Sequence, residues 1–99
     1  MTDPVACRRL ICVRLSGESL DVTITVGRPY SDSGRTRCPV SLEPLYGRLP
    51  DIEGVDSWQA LQLAMELVER LLRSEVERGS QLYWPRADGN EESGVEYSP

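Results

Sequence analysis

The chain has 99 residues, of which 39% are hydrophobic and 27% are charged, values typical of one small globular domain. The net charge of −5 is uneven, because residues 1–50 hold seven arginines against five acids and residues 51–99 hold four arginines against eleven acids. An acidic chain without a basic stripe is a poor nucleic-acid binder. No apolar run is long enough to span a membrane, and the absence of histidine removes the commonest general base and metal ligand.

The cysteine content and the first residues indicate the compartment. The chain starts without the basic and apolar segments of a secretory signal. Its three cysteines, Cys7, Cys12 and Cys38, are an odd number, which favours reduced thiols over a disulfide framework. A zinc site would need a fourth ligand, and no histidine can supply it. We therefore expect a cytoplasmic protein that holds no metal and no other cofactor.

Two segments of alternating apolar residues, 8–15 and 20–27, predict a pair of strands. The turn-rich residues 16–19 between them favour a β-hairpin. The expected register pairs Leu15 with Leu20, Val13 with Val22, and Ile11 with Ile24 on the buried face. The same register sets Arg14 opposite Asp21 on the other face, which is a favourable cross-strand charge pair.

The middle of the chain predicts a loop, a third strand and an irregular segment. Residues 28–35 have loop composition, and residues 36–43 predict a strand with Cys38, Val40 and Leu42 on one face. Pro39 cannot donate to a ladder, which favours an edge position or an irregular start. Residues 44–55 are broken by proline and glycine. Four of their side chains are expected to tuck under the fold: Leu45, Tyr46, Leu49 and Ile52.

A long amphipathic helix is the strongest predicted element. Asp56 is placed to cap its N-terminus, with Gln59 at the capping-box position. Gly79 is placed to end the helix in a left-handed conformation. The spacing of three and four predicts a core stripe of six residues: Trp58, Leu61, Met65, Val68, Leu72 and Val76.

Three further apolar residues, Ala60, Leu63 and Leu67, extend the apolar arc of this helix past half its circumference. A three-stranded sheet cannot easily cover so wide an arc. Either the segment 44–55 packs over the excess, or a second protein chain does.

The end of the chain predicts a short final strand and a tail. In residues 81–85, Leu82 and Trp84 lie on one side and Tyr83 on the other. Residues 86–99 are acidic and predict a disordered tail. The expected fold is therefore α+β, an antiparallel three- to four-stranded meander packed on one long C-terminal helix, with a short final edge strand. Residues 1–7 form an N-terminal tail, and residues 8–85 form the single domain.

No catalytic signature is present, since nucleotide-binding glycine motifs and histidine-containing triads are absent. Carboxylates before the helix could perform acid–base chemistry: Glu43, Asp51, Glu53 and Asp56. However, Asp51 and Glu53 flank a loop where acids are merely solvated, and Asp56 is explained as a helix cap. We therefore expect that the protein is not an enzyme.

Three arginines, Arg28, Arg35 and Arg37, lie close together in the sequence and could bind an anion. The sequence favours instead that they pair with the acidic second half of the chain or with solvent. The alternative to a protein-binding role is therefore a small-molecule or anion binder, or a minimal enzyme that uses the carboxylates of segment 43–56.

The segment from Ile52 to Ala64 reads I-E-G-V-D-S-W-Q-A-L-Q-L-A, and Gly79, Leu82 and Trp84 follow as G-x-x-L-x-W. This pattern resembles a family of small bacterial proteins of unknown function, over roughly residues 8–85. The family pattern is G-V/I-D-S-x-Q-A-L-x-L-A after a strand meander. The resemblance implies an α+β domain from a bacterium, and it implies no activity.

These observations favour a protein–protein interaction module of the regulator, inhibitor or immunity type, whose partner is another protein or a second copy of the chain. Leu63 and Leu67 are the candidate residues for a homodimer through the helix. Glu66 and Glu69 are the candidates for contact with a basic partner. Tyr83 is the best candidate for an exposed aromatic anchor. We expect no nucleic-acid and no membrane partner.

Overall fold

The computed structural model describes residues 4–84. Within them are eight strands and one helix, in the order β1 (Pro4–Val13), β2 (Ser19–Gly27), β3 (Tyr30–Asp32), β4 (Arg35–Cys38), β5 (Val40–Glu43), β6 (Gly47–Arg48), β7 (Ile52–Gly54), α1 (Ser57–Glu77) and β8 (Gln81–Tyr83). This confirms an α+β fold with a C-terminal helix that is followed by a short strand. The predicted tail at residues 86–99 lies outside the described residues.

The described strands form two antiparallel sheets rather than one meander. One sheet has the order β6-β5-β2-β1-β8, and the other has the order β3-β4-β7. The chain passes from the second sheet to the first at Pro39, so the predicted strand 36–43 is divided into β4 and β5. Proline interrupts a ladder because it has no N–H to donate. Cys38, Val40 and Leu42 are fully buried on either side of this break, as the sequence predicts.

The observed pairing of β1 with β2 is shifted by an odd number of residues from the predicted pairing. Because side chains alternate between the two faces of a strand, the other face of β1 therefore packs against the core. Cys12 pairs with Leu20 and Leu10 with Val22. The reason is the turn, in which the Gly17 N–H donates to the Arg14 carbonyl oxygen at 2.8 Å and Gly17 has a φ of 91°. A type I turn followed by a left-handed glycine fixes this register.

The register change moves residues that the sequence analysis assigned to the core. Leu15 lies in the turn and is 81% exposed, so its prediction as a buried residue is wrong. The expected Arg14–Asp21 pairing is also wrong, since Asp21 lies opposite Ile11 and forms its ion pair with Arg9 at 3.3 Å.

Helix α1 begins and ends as predicted. The Gln59 N–H donates to Asp56 Oδ1 at 2.8 Å, and the Val55 N–H donates to Gln59 Oε1 at 2.8 Å. At the other end, the Ser80 N–H donates to the Glu75 carbonyl oxygen at 3.1 Å. The Gly79 N–H donates to the Val76 carbonyl oxygen at 3.0 Å, which completes a Schellman motif.

The buried face of α1 matches only part of the predicted stripe, since Val68 and Leu72 are buried as predicted. The buried residues are Ala60, Ala64, Val68, Leu72 and Glu75. At 100° per residue, the centre of this face is rotated by roughly 60–70° from the centre of the predicted stripe. The assignment of Trp58, Met65 and Val76 to the core is therefore wrong, because all three are exposed.

The reason for the rotation is the close approach of α1 to β7. A Cβ atom built on Gly54 would lie 2.4 Å from the Ala60 backbone nitrogen, so only small side chains fit where the two elements meet.

Segment 44–55 packs against the core, which was one of the two alternatives that the sequence left open. Its residues Leu45, Tyr46, Leu49 and Ile52 are partly buried there. Within residues 4–84, no helix is both long and apolar enough to cross a membrane.

Candidate functional site

Large apolar side chains are exposed on one side of α1. Trp58 is 79% exposed and Met65 is 50% exposed. Leu61 lies between them on the same side and is half-buried. These three residues line one shallow depression together with Gln62, Glu66 and Glu69. We refer to Trp58, Leu61 and Met65 as the Trp58–Met65 surface.

A groove between α1 and the first half of the β1–β2 pair continues this surface. It is lined by Ala6, Cys7, Arg8, Ile24, Val26, Met65, Val68, Glu69 and Leu72. We call it the helix–strand groove, and it shares Met65 and Glu69 with the Trp58–Met65 surface. Its volume of about 160 Å³ is below the roughly 300–1,000 Å³ of small-molecule sites. The groove is therefore better suited to a few side chains of a protein than to a whole ligand.

The charges around the apolar residues have both signs. Glu66 and Glu69 are exposed along the helix side. Arg8 lies on the strand wall of the groove, and its guanidinium lies 4.6 Å from the centre of the Trp84 ring. A cation over an aromatic face is attracted by the ring quadrupole, so the stacking holds Arg8 at this edge.

The structure brings together only part of the predicted interaction set. Glu66 and Glu69 adjoin the Trp58–Met65 surface. Leu63 and Leu67 both lie about 160° around the helix from Met65, and both are half-buried, with Leu67 packed against the core. Tyr83 lies on β8 and is half-buried, with its hydroxyl donating to Gln81 Oε1 at 2.6 Å. An interaction role for these three residues stays a prediction.

The arginines of the anion-binding alternative are engaged with acids on the three-stranded sheet. Arg35 Nη1 lies 3.1 Å from Glu53 Oε1, and Arg37 Nη2 lies 3.7 Å from the same oxygen. Arg37 Nε also lies 3.6 Å from Asp32 Oδ2. The β-ladder explains these contacts, because Arg37 is paired with Glu53 across β4 and β7 and opposite charges on paired strands attract. Arg28 is exposed.

Asp51 is held by two partners from other segments. It accepts a hydrogen bond from the Tyr30 hydroxyl, and Arg48 Nη2 donates to its Oδ1 at 3.1 Å. The Tyr30 hydrogen bond, assisted by Arg48, keeps the pKa of Asp51 below its ordinary value despite partial burial. The same hydrogen bond raises the pKa of Tyr30. Asp51 and Glu53 thus tie strands together, and Asp56 caps α1, which gives each of them a structural role.

A buried polar cluster lies at the C-terminal end of α1. Glu75 is 5% exposed, its Oε2 accepts from the Ser80 hydroxyl at 3.1 Å, and its Oε1 accepts from the Tyr46 hydroxyl at 3.5 Å. Burial raises the pKa of the neighbouring Cys12 thiol, so this cysteine is a poor nucleophile at neutral pH. The cluster ties the end of α1 to Tyr46 and to Ser80, which directly precedes β8. In residues 4–84 we find no group of three potential ligands that could hold a metal ion.

Sequence reasoning missed two features of this region. It placed Trp58 and Met65 in the core because their spacing fits the apolar period, although neither is buried. It also gave no role to Glu75. The signal that could have exposed the first error is the pair Ala60 and Ala64, since small residues at a spacing of four mark the side of a helix that approaches another backbone most closely.

Comparison with known proteins identifies a family without assigning an activity. A family model described as "Domain of unknown function (DUF6968)" matches residues 7–95. The match extends beyond the described residues into the acidic end of the chain. No curated protein and no solved structure matches the chain.

Proposed function

The chain belongs to the DUF6968 family of domains of unknown function, and from this premise we propose that it is a protein–protein interaction module of the regulator, inhibitor or immunity type. The observation that carries the proposal is the 79% exposure of Trp58 beside Met65, on a helix whose other side is packed in the core. A bacterial origin, which the helix-entry motif implies, and a cytoplasmic location are part of the proposal.

The physical argument is the cost of leaving such side chains in water. A tryptophan can bury roughly 150–250 Å² on contact with a partner, and apolar burial contributes about 25 cal/mol per Å². Trp58 could thus contribute about 4–6 kcal/mol of gross apolar transfer free energy, part of which offsets the entropy lost on association. Exposed aromatic residues in a rim of charged residues are typical of binding hot spots.

The rim indicates which partners the surface favours. Glu66 and Glu69 border the apolar residues, so the rim attracts basic side chains and repels acidic ones. The alternative of a small-molecule or anion binder has less support, because Arg35 and Arg37 already contact acids and the helix–strand groove is small.

The proposal is tested by affinity capture with the full chain as bait in the cells that produce it. Met65→Glu places a charge where the Trp58–Met65 surface meets the helix–strand groove, and we expect it to weaken binding of a stoichiometric partner by at least about tenfold, which is about 1.4 kcal/mol. Ser31→Glu is the matched control, because it adds the same charge at an exposed position of β3. A Glu66→Lys and Glu69→Lys double variant should weaken a basic partner further.

The results for Met65→Glu and Ser31→Glu are interpreted together. A partner that is retained by the Ser31→Glu bait and lost from the Met65→Glu bait supports the proposal. If Met65→Glu and the double variant bind every partner as tightly as the wild type does, the proposed surface is not the binding surface.

A further inference from the structure

The outer side of α1 carries charges of both signs in a symmetric order. Glu66 and Glu69 come first along the helix, and Arg70 and Arg73 follow them. All four are exposed, and none of them forms an ion pair with another residue of the range 4–84. A helix that carries acids in one half and bases in the other attracts a second, antiparallel copy of itself.

Exposed apolar side chains lie near the two ends of α1. Trp58 is 79% exposed near the N-terminal end, and Val76 is 38% exposed near the C-terminal end. Leu15 is 81% exposed and lies beside Gly79, since a Cβ atom on Gly79 would be 2.7 Å from Leu15 Cδ1. At 100° per residue, Trp58, Val76 and the four charged residues lie within an arc of about 120°, which is turned away from the buried side of the helix.

We propose that a second copy of the chain binds this side of α1, in a two-fold dimer whose helices pack antiparallel about the point midway between Glu69 and Arg70. The inference rests on the proposed function, and it names the partner. The pairing sets Glu66 opposite Arg73 of the second copy and Glu69 opposite its Arg70. Because of the two-fold symmetry, each of these contacts occurs twice. The two helices then lie between the sheets of the two copies.

The charges select both the direction and the register of the helices. A parallel pair in register would set Glu66 and Glu69 against the same residues of the second copy, and like charges in contact are unfavourable. In an antiparallel pair, a slide of one helical turn in one direction would set Glu66 opposite Glu69. A slide of one turn in the other direction would set Arg70 opposite Arg73. Pairing about the midpoint between Glu69 and Arg70 brings each of the four charges opposite a charge of the other sign.

The same register brings the apolar side chains of the two copies together. Trp58 lies about 17 Å from the midpoint along the helix axis, and Gly79 lies about 14 Å from it on the other side, at 1.5 Å per residue. Trp58 of one copy therefore reaches Leu15 of the second copy, which lies beside Gly79. Val76 comes within one helical turn of Met65 of the second copy. Side chains that are exposed in the single chain are thus covered at both ends of the interface.

The contact involves one side of one helix, which sets the expected affinity. Helix α1 has 21 residues and is about 31 Å long. A single helix pair lies near the lower end of interface sizes, where complexes are transient. We expect a dissociation constant on the order of 1–100 μM, so the dimer should be populated only in concentrated solution.

The test is light scattering on the full chain over a range of concentrations, with two variants that exchange charges within the helix. One variant combines Glu66→Arg with Arg70→Glu, and the other combines Glu69→Arg with Arg73→Glu. Each exchange keeps the net charge and keeps opposite charges four residues apart, which supports the helix. Across the proposed interface, however, each exchange sets like charges opposite each other in every one of the four contacts.

The mass of the wild type should rise with concentration from 11.1 kDa to twice that value. Each exchange variant should have a dissociation constant at least about tenfold higher. An equimolar mixture of the two variants should dimerise like the wild type, because every contact between the two different copies again joins opposite charges. The chain with all four substitutions should dimerise for the same reason.

Two controls separate the interface from other effects of the substitutions. Circular dichroism checks that each variant is folded. A variant that combines Arg28→Glu with Glu43→Arg exchanges charges at two exposed positions outside α1, and it should dimerise like the wild type.

Every outcome decides the inference. Loss of the dimer in each exchange variant and its recovery in the mixture support it. A dimer that persists in either variant overturns it, and so does a mixture of folded variants that stays monomeric. If one exchange variant does not fold, the inference stands only if the other loses the dimer and the chain with all four substitutions regains it.

A wild type that is monomeric at every concentration also overturns the inference. Protection of Trp58 from acrylamide quenching in that monomer would mean that the chain itself covers the surface, which would contradict the proposed function as well. An accessible Trp58, together with a foreign partner that Met65→Glu releases, would leave the proposed function intact.

Discussion

The two sides of helix α1 differ in a way that an apolar count does not reveal. The buried side carries Ala60, Ala64, Val68, Leu72 and Glu75, so two of its five buried residues are alanine. The other side carries Trp58 and Met65, which are among the largest apolar residues of the chain and are 79% and 50% exposed.

The difference teaches that distance between backbones, and not hydrophobicity alone, decides which face of a helix is buried. Gly54 of β7 approaches Ala60 so closely that not even a methyl group would fit between them. A tryptophan at that contact would require the helix to move several ångströms outward and would open voids elsewhere. The protein therefore packs the face of α1 that carries small side chains against its own core. The face that carries Trp58 and Met65 stays exposed.

The strongest prediction compares Leu72 with Met65. Leu72 is 1% exposed, so Leu72→Ala should lower the free energy of unfolding by about 2–5 kcal/mol through lost burial and a cavity. Met65→Ala should change it by less than about 1 kcal/mol, because Met65 is already half in water. Urea denaturation followed by circular dichroism measures both. Equal losses would contradict the assigned faces.

Gly54→Ala tests the close approach itself. The added methyl group would meet the backbone of α1, and overpacking of this kind costs about 1–3 kcal/mol. The loss of chain entropy in the unfolded state opposes this by about 0.4–1 kcal/mol, so we expect a net destabilisation in urea. A variant more stable than the wild type would show that α1 can move away from β7 without cost.

Asp56→Ala weakens α1 at its N-terminus and changes no residue on either of its two faces. Asp56 Oδ1 accepts the hydrogen bond from the Gln59 N–H, and loss of an N-cap costs about 0.5–2 kcal/mol. Asp56→Ser retains a capping oxygen and should recover most of the stability. If the serine variant is no more stable than the alanine variant, the cap is not the source of the effect.

The smallest effect concerns the sheet that holds β7 against the helix. The pKa of Asp51 lies below its unfolded value of 3.8, chiefly because Tyr30 donates a hydrogen bond to it. Its ionised form therefore stabilises the fold above pH 3.8, and this contribution disappears as the pH falls through the lower folded value. The stability difference between the wild type and Asp51→Asn should shrink from about pH 7 to about pH 2. A constant difference would contradict the assigned pKa direction.

The parts of the fold that the sequence predicted are governed by local chemistry. Asp56, Gln59 and Gly79 mark the two ends of α1 through contacts within a few residues, and alternation marked β2. The register of the first hairpin failed because Leu15 was counted as a core residue, although Gly17 requires a turn that contains it. The turn that Gly17 requires therefore determined the β1–β2 register, and the three expected apolar pairs did not form.

The candidate site was only partly predictable for a similar reason. Glu66 and Glu69 were identified from charge alone, which needs no knowledge of packing. The exposure of Trp58 depends on where β7 contacts α1, and the burial of Glu75 depends on Tyr46, its partner from segment 44–55. Such contacts between distant segments leave no periodic signal in the sequence.

The most direct test of the account is the solvent access of Trp58, measured by acrylamide quenching of its fluorescence in a Trp84→Phe variant, which leaves Trp58 as the single tryptophan. We expect red-shifted emission and strong quenching, because Trp58 is 79% exposed. Blue-shifted emission that resists quenching at every dilution would contradict the account, because Trp58 would then belong to the core of the monomer.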